Sequence, residues 1–279
     1  APVTATPAPV GPLAFAPTKS FEQKVAEATD SIEHLQEEFS DLKSDARELL
    51  SEREIQNQRF VRKFRDHLLD LPVTKKQVHI RFFSKNVREI VAAETIQMLF
   101  IILGRYCNYS NYEIIFHIVK RFCHELKGRM LTYRDSLTSF EKSTTVDVYL
   151  CCISARPGGE ICKGFIRMTM KINKPPSECS LHEIRELKES IEERASIESY
   201  AMYIESPGEG SVHVGLLIHE GVIPMAAAVL HNTDFRQTNH LTEVTIAGQD
   251  VREYIDQRLW FACQAGSCEG SDFPDNIRS

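Results

Sequence analysis

The chain of 279 residues lacks the short motifs that mark most nucleotide-dependent and hydrolytic enzymes. It has no phosphate-binding P-loop, no G-x-S-x-G nucleophile elbow, no kinase signature and no H-E-x-x-H zinc motif. The nearest approach to a dinucleotide fingerprint is Gly208-Glu-Gly210, which continues with His213 and lies in a predicted hairpin instead of a strand-to-helix turn. Because each motif positions a phosphate, a metal or a nucleophile, we expect no enzymatic activity and no cofactor.

Long apolar runs are also missing. No stretch of 18 residues is both uncharged and apolar, as a membrane-spanning helix would require. The opening residues APVTATPAP contain neither the basic nor the apolar region of a signal peptide. The net charge of -6 does not favour a general nucleic-acid binder. We therefore expect a cytoplasmic protein that makes no membrane contact.

The eight cysteines are too few for a disulfide scaffold in a chain of this length. Cys179 and His182 have the spacing of metal ligands, and Cys151, Cys152 and Cys162 lie upstream. A zinc site takes four nitrogen or sulfur ligands, usually in close pairs. Adjacent cysteines on a strand would point in opposite directions, however, so we favour thiols that pack as small hydrophobes. We predict no metal site.

What the chain does contain is an uninterrupted heptad pattern near its start. Apolar residues recur at alternating spacings of four and three over residues 21–49. A repeat of 3.5 residues keeps one apolar seam turned towards one partner helix. The pattern therefore predicts a long helix over about 20–53 that packs along its length. The nine seam positions are Phe21, Val25, Ala28, Ile32, Leu35, Phe39, Leu42, Ala46 and Leu49.

This seam can pack inside the chain or against a second copy. Val25 and Ile32 at a positions, with Leu35 and Leu42 at d positions, suit a parallel dimer. The apolar stripe is wide and its flanking charges are few, which favours packing on the chain's own bundle. We favour that packing and leave a homodimer through residues 21–49 open. The residues expected to make these contacts are Val25, Ile32, Leu35, Phe39, Leu42 and Leu49.

The first half of the chain is predicted to be helical. Residues 1–18 are rich in Pro, Ala and Thr and form a predicted flexible lead-in. A helical bundle follows over 19–143. Its segment Ile96–Leu103 is apolar on nearly all sides, which predicts the central core helix. Ser110 and Glu113 match a capping box that would open the next helix.

The pattern changes in the second half. Residues 144–158 form a connector, in which 146–153 fits a strand or a helix. Residues 159–251 have the predicted order strand, helix, strand, strand, helix, strand. That order is typical of a ferredoxin-like, or split βαβ, domain. Residues 252–279 add a possible helix and a disordered tail. The predicted fold class is therefore α+β.

Within this α/β domain, apolar and polar residues alternate over 166–172, as in a half-buried strand. We expect the domain to fold on its own, with one sheet face under two helices and the other open to water or a partner. Ser180 and Glu183 form a second capping box. On the helix that follows, we expect Leu187 to face the core and Lys188 the solvent. Leu187→Ala should then cost roughly 2–5 kcal/mol, and Lys188→Ala almost nothing.

Charge is unevenly distributed along the first helices. Residues 21–54 hold eleven acids and four bases, whereas residues 59–88 hold nine bases and two acids. The acidic helix can fold back on the basic segment and neutralise it. Alternatively, the basic segment presents a face for nucleic acid or anionic lipid. We favour neutralisation, because the compensating charge is adjacent in sequence.

Four strings of the sequence carry a resemblance, and they are QVHIRFFSKN (77–86), LGRYCNYSNY (103–112), FEKSTTV (140–146) and CSLHEIR (179–185). The chain resembles a region of two modules, helical and ferredoxin-like, that recurs in predicted proteins of early-branching animals such as sponges. Members share an acidic leading helix, an aromatic turn similar to RYWNYLNY, and a hairpin similar to ESYALYL…GSV. Here Cys107 replaces the tryptophan of the turn, and the hairpin is Glu198–Ile204 followed by Gly210-Ser-Val212.

The resemblance covers roughly residues 30–250. It implies an intracellular multidomain protein, sometimes with death-fold or nucleotide-binding adaptor modules elsewhere in the chain, and it carries over no catalytic residue. We therefore expect a non-enzymatic interaction or scaffold module of a signalling protein. Two alternatives are a sensor that binds a small ligand on the ferredoxin-like sheet, and nucleic-acid binding through residues 59–88.

Overall fold

A computed structural model describes residues 19–76, 80–153, 162–205 and 212–255. Several predictions lie outside the described residues. They concern the lead-in, the connector after residue 153, the hairpin turn at 206–210 and the tail after residue 255. The described part is mixed in class. Helices fill its first half, and a five-stranded antiparallel sheet with further helices forms the second.

The first half begins with one long helix, α1. The Ser20 hydroxyl accepts a hydrogen bond from the backbone N–H of Gln23, whose side chain accepts one from the Ser20 N–H, so a capping box starts this helix. Shorter helices follow and pack around α1. The helices of this half are α1 (Phe21–Gln56), α2 (Arg59–Leu69), α3 (Val87–Ala92), α4 (Ile96–Leu103), α5 (Glu113–Phe122), α6 (Lys127–Ser143) and α7 (Val146–Cys152).

The apolar side of α1 packs on α4, α6 and α7 of the same chain. The middle of the predicted seam is buried, whereas Phe21 at its start is exposed. At the other end, Leu50 is fully buried and Leu49 is only partly buried. An α-helix has 3.6 residues per turn, so a stripe with a 3.5-residue repeat drifts around the helix over several turns. This drift moves the buried side from Leu49 to Leu50.

One helix settles an alternative that the sequence left open, and another differs from its expectation. The segment 146–153, which fitted a strand or a helix, contains α7. The expectation that α4 is the central core helix is wrong, because Met98 is 43% and Ile101 is 58% exposed. Apolar composition alone does not bury a residue, since more than half of a protein's accessible surface is apolar. One side of α4 therefore faces solvent.

The second half is a sheet with helices between its strands. Neighbouring strands are antiparallel and follow the order β2-β3-β1-β4-β5. The short helix α10 and the short strand β5 were not predicted. The elements are β1 (Phe165–Ile172), α8 (Leu181–Ala195), β2 (Met202–Ile204), β3 (Val212–His219), α9 (Ile223–His231), α10 (Thr233–Thr238), β4 (Leu241–Ile246) and β5 (Gln249–Asp250).

The two faces of β1 differ as its alternation predicted. Met168 and Met170 are fully buried and lie opposite Leu216 and Val214 of β3. On the other face, Arg167 is exposed and donates to both carboxylate oxygens of Glu205, at 2.7 and 2.8 Å. One side of the strand therefore belongs to the core, and the other carries an ion pair at the surface.

The two predicted capping boxes have different outcomes. Ser180 and Glu183 form the predicted reciprocal bonds at the start of α8. The box at Ser110 and Glu113 is wrong, because α5 begins after Tyr112 without a side-chain cap. Glu113 instead points into the protein, where buried cations bind its carboxylate. The sequence pattern is the same in both places, but a stronger tertiary contact takes the side chain of Glu113.

The two halves share one continuous hydrophobic core. Helix α8 packs on α6, and isolated backbone bridges join Thr74 to Ile197 and Thr145 to Ser180. The Tyr200 hydroxyl also donates to the carbonyl oxygen of Pro72 at 2.8 Å. The described part of the second half is thus held to the helical half by packing and by hydrogen bonds. Among the described residues, no helix combines the length and the apolar character needed to cross a membrane.

Candidate interaction surface

The predicted seam residues lie inside the protein. Ile32, Leu35, Phe39 and Leu42 are buried in the common core, and Val25 and Leu49 are partly buried against it. They contact helices of their own chain instead of forming a free seam. In this structure, the apolar side of α1 is therefore already covered.

Exposed apolar side chains occur elsewhere, on α3 and α4. Val87 and Val91 are exposed on α3, and Met98 and Ile101 are exposed on α4, which packs against α3. The end of α1 is close to this site, because the Glu54 carboxylate accepts a hydrogen bond from the backbone N–H at the start of α4, at 3.1 Å. We call these four exposed apolar residues the α3–α4 surface.

A groove of about 350 Å³ lies along the contact of α1 with α4, beside this surface. From α4, Phe100 and Ile101 supply apolar lining. From α1, Lys43 and Arg47 supply two cations, and the lining contains no carboxylate. The complete lining is Ser40, Lys43, Ser44, Arg47, Gln97, Phe100, Ile101 and Gly104. The groove is thus part apolar and part basic.

Basic residues border both the groove and the α3–α4 surface. Arg65 of α2 donates to the carbonyl oxygen of Val91 at 2.9 Å, and Arg88 is exposed on α3. Arg47 donates to the Ser44 hydroxyl at 3.2 Å. Within the described ranges, neither Lys43 nor any of these three arginines forms an ion pair with a carboxylate. We call Lys43, Arg47, Arg65 and Arg88 the basic rim.

The expectation that the acidic α1 neutralises the basic segment 59–88 is wrong. Among described residues, the ion pairs of this segment join Arg81 to Asp70 and Lys85 to Glu220, and none reaches α1. Helix α1 turns its apolar side to the bundle, and two of its acids have other partners, since Asp45 pairs with Arg129 of α6 and Glu54 accepts from the N-terminal end of α4. Adjacency in sequence does not bring two helix faces together. The exposed bases of α2 remain available.

A second cluster of charged residues is buried where α5, α6 and α8 meet. Arg185 donates from Nε to both carboxylate oxygens of Glu141 at 2.8 Å, and from Nη1 to Glu113 at 3.3 Å. The Lys188 ammonium lies 2.7 Å from Glu113 Oε1 and 2.8 Å from Glu192 Oε1. Lys188 is only 1% exposed, so the expectation that it faces solvent is wrong.

This buried ion network holds three carboxyl groups against two cations. Burial raises the pKa of Glu192 to about 7, although Lys188 acts in the opposite direction. Burial also raises the pKa of Glu141, against the effect of Arg185. Burial alone would lower the pKa of Lys188, but Glu113 and Glu192 hold it above its ordinary value. The network joins the two halves, and the groove between α1 and α4 does not reach it.

The sheet presents few groups for a ligand on its outer face. Its exposed cations are paired across strands, Arg167 with Glu205 and Lys171 with Glu243. A groove of about 480 Å³ lies at one edge, between α8 and residues 238–240, and Glu183 and several other glutamates line it. Lys174 also lines this groove and pairs with Glu183.

The thiols of the described residues form no metal site. Cys179 is buried, and the His182 imidazole Nε2 lies 3.4 Å from Glu186 Oε1. No group of three metal-binding side chains occurs in the part of the chain that the structure describes. Burial raises the pKa of Cys107 to about 12 and that of Cys123 to about 11, which keeps these thiols protonated and weakly nucleophilic.

One residue of the aromatic turn has a role that the sequence did not indicate. The side-chain amide of Asn111 donates to the carbonyl oxygen of Ile204 and accepts from its backbone N–H, both at 2.9 Å. It thereby pairs with β2 as a neighbouring strand would. Edge strands that stay unpaired are templates for aggregation, so Asn111 protects this edge. The distance of 93 residues between the partners hides the contact from sequence analysis.

Comparisons of the chain with protein-family models, with curated proteins and with solved structures find no match. The geometry of the chain itself therefore carries the functional argument.

Proposed function

We propose that the chain is a non-enzymatic protein–protein interaction module whose α3–α4 surface binds an acidic, amphipathic helix of a partner protein. The observation that carries the proposal is the exposure of Val87, Val91, Met98 and Ile101 on two helices packed together. Grouped apolar side chains at a surface mark sites of interaction. A helix bound in a groove is one of the common modes of such recognition.

The charge of the rim selects the partner. Lys43 and Arg47 line the groove, and Arg65 and Arg88 lie on the neighbouring helices, without carboxylates paired to them among the described residues. An acidic face on the incoming helix would supply those carboxylates and would speed association by electrostatic steering. Its apolar face would cover Met98 and Ile101, at about 25 cal/mol for each Å² removed from water.

A designed peptide pair tests this proposal. One amphipathic peptide carries Leu at helical spacing and Glu on its other face, and its control carries Lys in place of Glu. In fluorescence anisotropy at 0.1 M salt, the acidic peptide should bind and the basic peptide should not. Ile101→Asp should weaken binding at least tenfold. Phe21→Asp, an exposed apolar position at the other end of α1, should leave binding unchanged.

Nucleic-acid binding through residues 59–88 is the alternative function that the same experiment would reveal. The exposed bases Arg59, Arg62 and Lys63 of α2 are the residues concerned. Binding of a DNA or RNA oligonucleotide that is lost on Arg62→Glu and retained on Ile101→Asp, together with no binding of the acidic peptide, would overturn the interaction module.

We also propose that the second half is a ferredoxin-like domain and that α1 acts as a coiled-coil-like helix within its own bundle. The strand order β2-β3-β1-β4, with α8 and α9 in the two crossovers, supports the first proposal. The buried middle of the seam supports the second. The assembly role in cytoplasmic signalling rests on the resemblance to adaptor-associated regions described above.

A further inference from the structure

Two histidines stack between α2 and α5. The ring centroids of His67 on α2 and His117 on α5 are 5.5 Å apart, and their planes differ by 9°. His67 also meets Phe122 edge-on at 5.0 Å, and His117 meets Tyr200 at 5.3 Å. The pair therefore lies at the contact that joins α2, α5 and the turn before β2.

The unusual feature of this pair is that one ring nitrogen of each histidine makes no hydrogen bond within the described residues. The Nε2 atoms of His67 and His117 are both buried, and neither has a hydrogen-bond partner among the described residues. A neutral imidazole needs to donate only one hydrogen bond, whereas an imidazolium donates two. A buried cation without an acceptor is costly. The geometry thus suits two neutral rings and opposes two charged ones.

The charged groups around the pair strengthen this preference. Burial lowers the pKa of His67, and Arg121 of α5 adds to the effect, whereas Asp70 opposes it. Burial lowers the pKa of His117 to about 4, with contributions from His67, Lys120 and Arg121. Asp70, just after α2, is itself 3.6 Å from Arg81 Nη2. From the turn before β2, Tyr200 presents an uncharged phenol whose pKa is raised by burial.

We infer that the stack of His67 and His117 is an acid-sensitive latch, and that its protonation releases α2 from α5 while the rest of the protein stays folded. Two stacked imidazolium rings repel each other and require water or anions at their Nε2 atoms. Moving α2 outwards meets both requirements. The helix is short and has three buried residues, Val61, Phe64 and Leu68, so its release exposes a limited apolar area and can occur as a local opening.

Another histidine, His219, is fully buried, and its effect has to be separated from that of the pair. His219 Nε2 lies 3.1 Å from the carbonyl oxygen of Phe82, and its Nδ1 accepts a hydrogen bond from the Gly221 N–H at 3.1 Å. Burial lowers the pKa of His219 as well. Its protonation would break the bond to Gly221 within the common core, and would therefore weaken the whole protein instead of α2 alone.

Hydrogen exchange on the full chain, read by mass spectrometry at pH 7 and pH 5 with correction for intrinsic rates, tests the latch. In the wild type, α2 peptides should exchange at least tenfold faster at pH 5, whereas α6 peptides should not change. The double variant His67→Phe with His117→Phe keeps two stacked rings that cannot titrate, and its α2 should be insensitive to pH. His34→Gln, at an exposed position on α1, should behave as the wild type.

Three results of this experiment would overturn the latch. The first is an α2 that exchanges equally at both pH values in the wild type, and the second is an α2 that opens to the same extent in the double variant. The third is loss of protection in α2 and α6 together, which indicates global unfolding. If the double variant does not fold, NMR titration of the wild-type imidazoles decides. A measured pKa at or above 6.5 for both His67 and His117 removes the basis of the proposal.

Discussion

Helices α1 and α8 pack in the same core but bury residues of different kinds. The buried residues of α1 are all apolar, with Leu35, Leu42 and Leu50 among them. Those of α8 are Ile184, Arg185, Leu187, Lys188, Ile191 and Glu192, of which half are charged. Burial of α1 is governed by area and volume, because the hydrophobic effect has no direction. Burial of α8 also depends on the exact pairing of its ions.

The difference predicts how each contact fails. Removing methylene groups from an apolar contact costs the transfer free energy and the cavity that is left. Removing one partner from a buried ion pair leaves an uncompensated charge in a medium that solvates it poorly, and typically costs about 3–5 kcal/mol. The contact of α8 with α5 and α6 should therefore tolerate conservative volume changes and fail when a single charge is lost.

The largest expected effect is that of Lys188→Ala. This change leaves Glu113 and Glu192 buried without the ammonium that lies within 2.8 Å of both. We expect it to lower the free energy of unfolding by about 3–5 kcal/mol, measured by urea denaturation. Glu189→Ala, at the exposed neighbouring position, should cost less than about 0.5 kcal/mol. Equal effects of the two substitutions would show that Lys188 is exposed to solvent and not buried.

On α1, Leu42→Ala should come next. Leu42 is fully buried at the centre of the apolar side, so the substitution should cost about 2–5 kcal/mol. Leu42→Met keeps the volume and should cost less than about 1.5 kcal/mol. Leu49→Ala should cost less than Leu42→Ala, because the helix drift leaves Leu49 only partly buried. If Leu49→Ala lost more stability than Leu42→Ala, the heptad pattern of burial would continue to the end of α1.

The same comparison explains what the sequence predicted. Periodic apolar residues were sufficient to predict the long helix, the buried side of β1 and the helix at 181–195. The charged face of α8 stayed hidden because Lys188 and Glu192, four residues apart, have the pattern of a solvent-exposed helix pair. The second partner of Lys188, Glu113, lies 75 residues away in the sequence, and no local rule connects the two.

The candidate interaction surface was missed for the opposite reason. The apolar composition of α4 predicted a core helix, whereas Met98 and Ile101 are exposed. Periodicity locates an apolar face only where polar residues mark the other side. In α4 only Gln97 is polar, and a single polar residue is too weak a marker to show which side of the helix meets the core.

The pH dependence of stability provides a third, smaller effect. The folded-state pKa of Glu192 is raised above its unfolded value, so the native protein holds a proton that the unfolded chain releases. This contribution to stability is present below about pH 4.3 and is lost as pH rises to about 7. Glu192→Gln should lose this slope and gain stability relative to the wild type at pH 8.

Unfolding in urea at pH 5, 6, 7 and 8 measures this effect as the difference between wild type and variant. The wild type has to be compared with the variant because the histidines with lowered pKa values change stability with pH in the opposite direction. The pKa of His117 is lowered to about 4, so its contribution is lost as pH falls from about 6.5. Parallel stability curves for wild type and Glu192→Gln would show that Glu192 is ionised throughout.

The smallest effect distinguishes the two capping-box sequences. Ser180 caps α8, and Ser180→Ala should cost about 0.5–2 kcal/mol. Ser110 caps no helix, and its hydroxyl donates only to Asn108 within its own loop, at 3.0 Å, so Ser110→Ala should cost less. Thermal denaturation of the two variants under one buffer condition gives the comparison. A costlier Ser110→Ala would indicate that α5 is capped after all.

The central claim is that paired charges, and not only apolar packing, hold α8 to the helical half. A double-mutant cycle between Lys188→Met and Glu113→Gln, read from urea unfolding, tests it most directly. The two residues contact each other at 2.7 Å, so we expect a coupling free energy of about 1–3 kcal/mol. Effects that add to within about 0.5 kcal/mol would contradict the claim and leave apolar packing as the bond between the two halves.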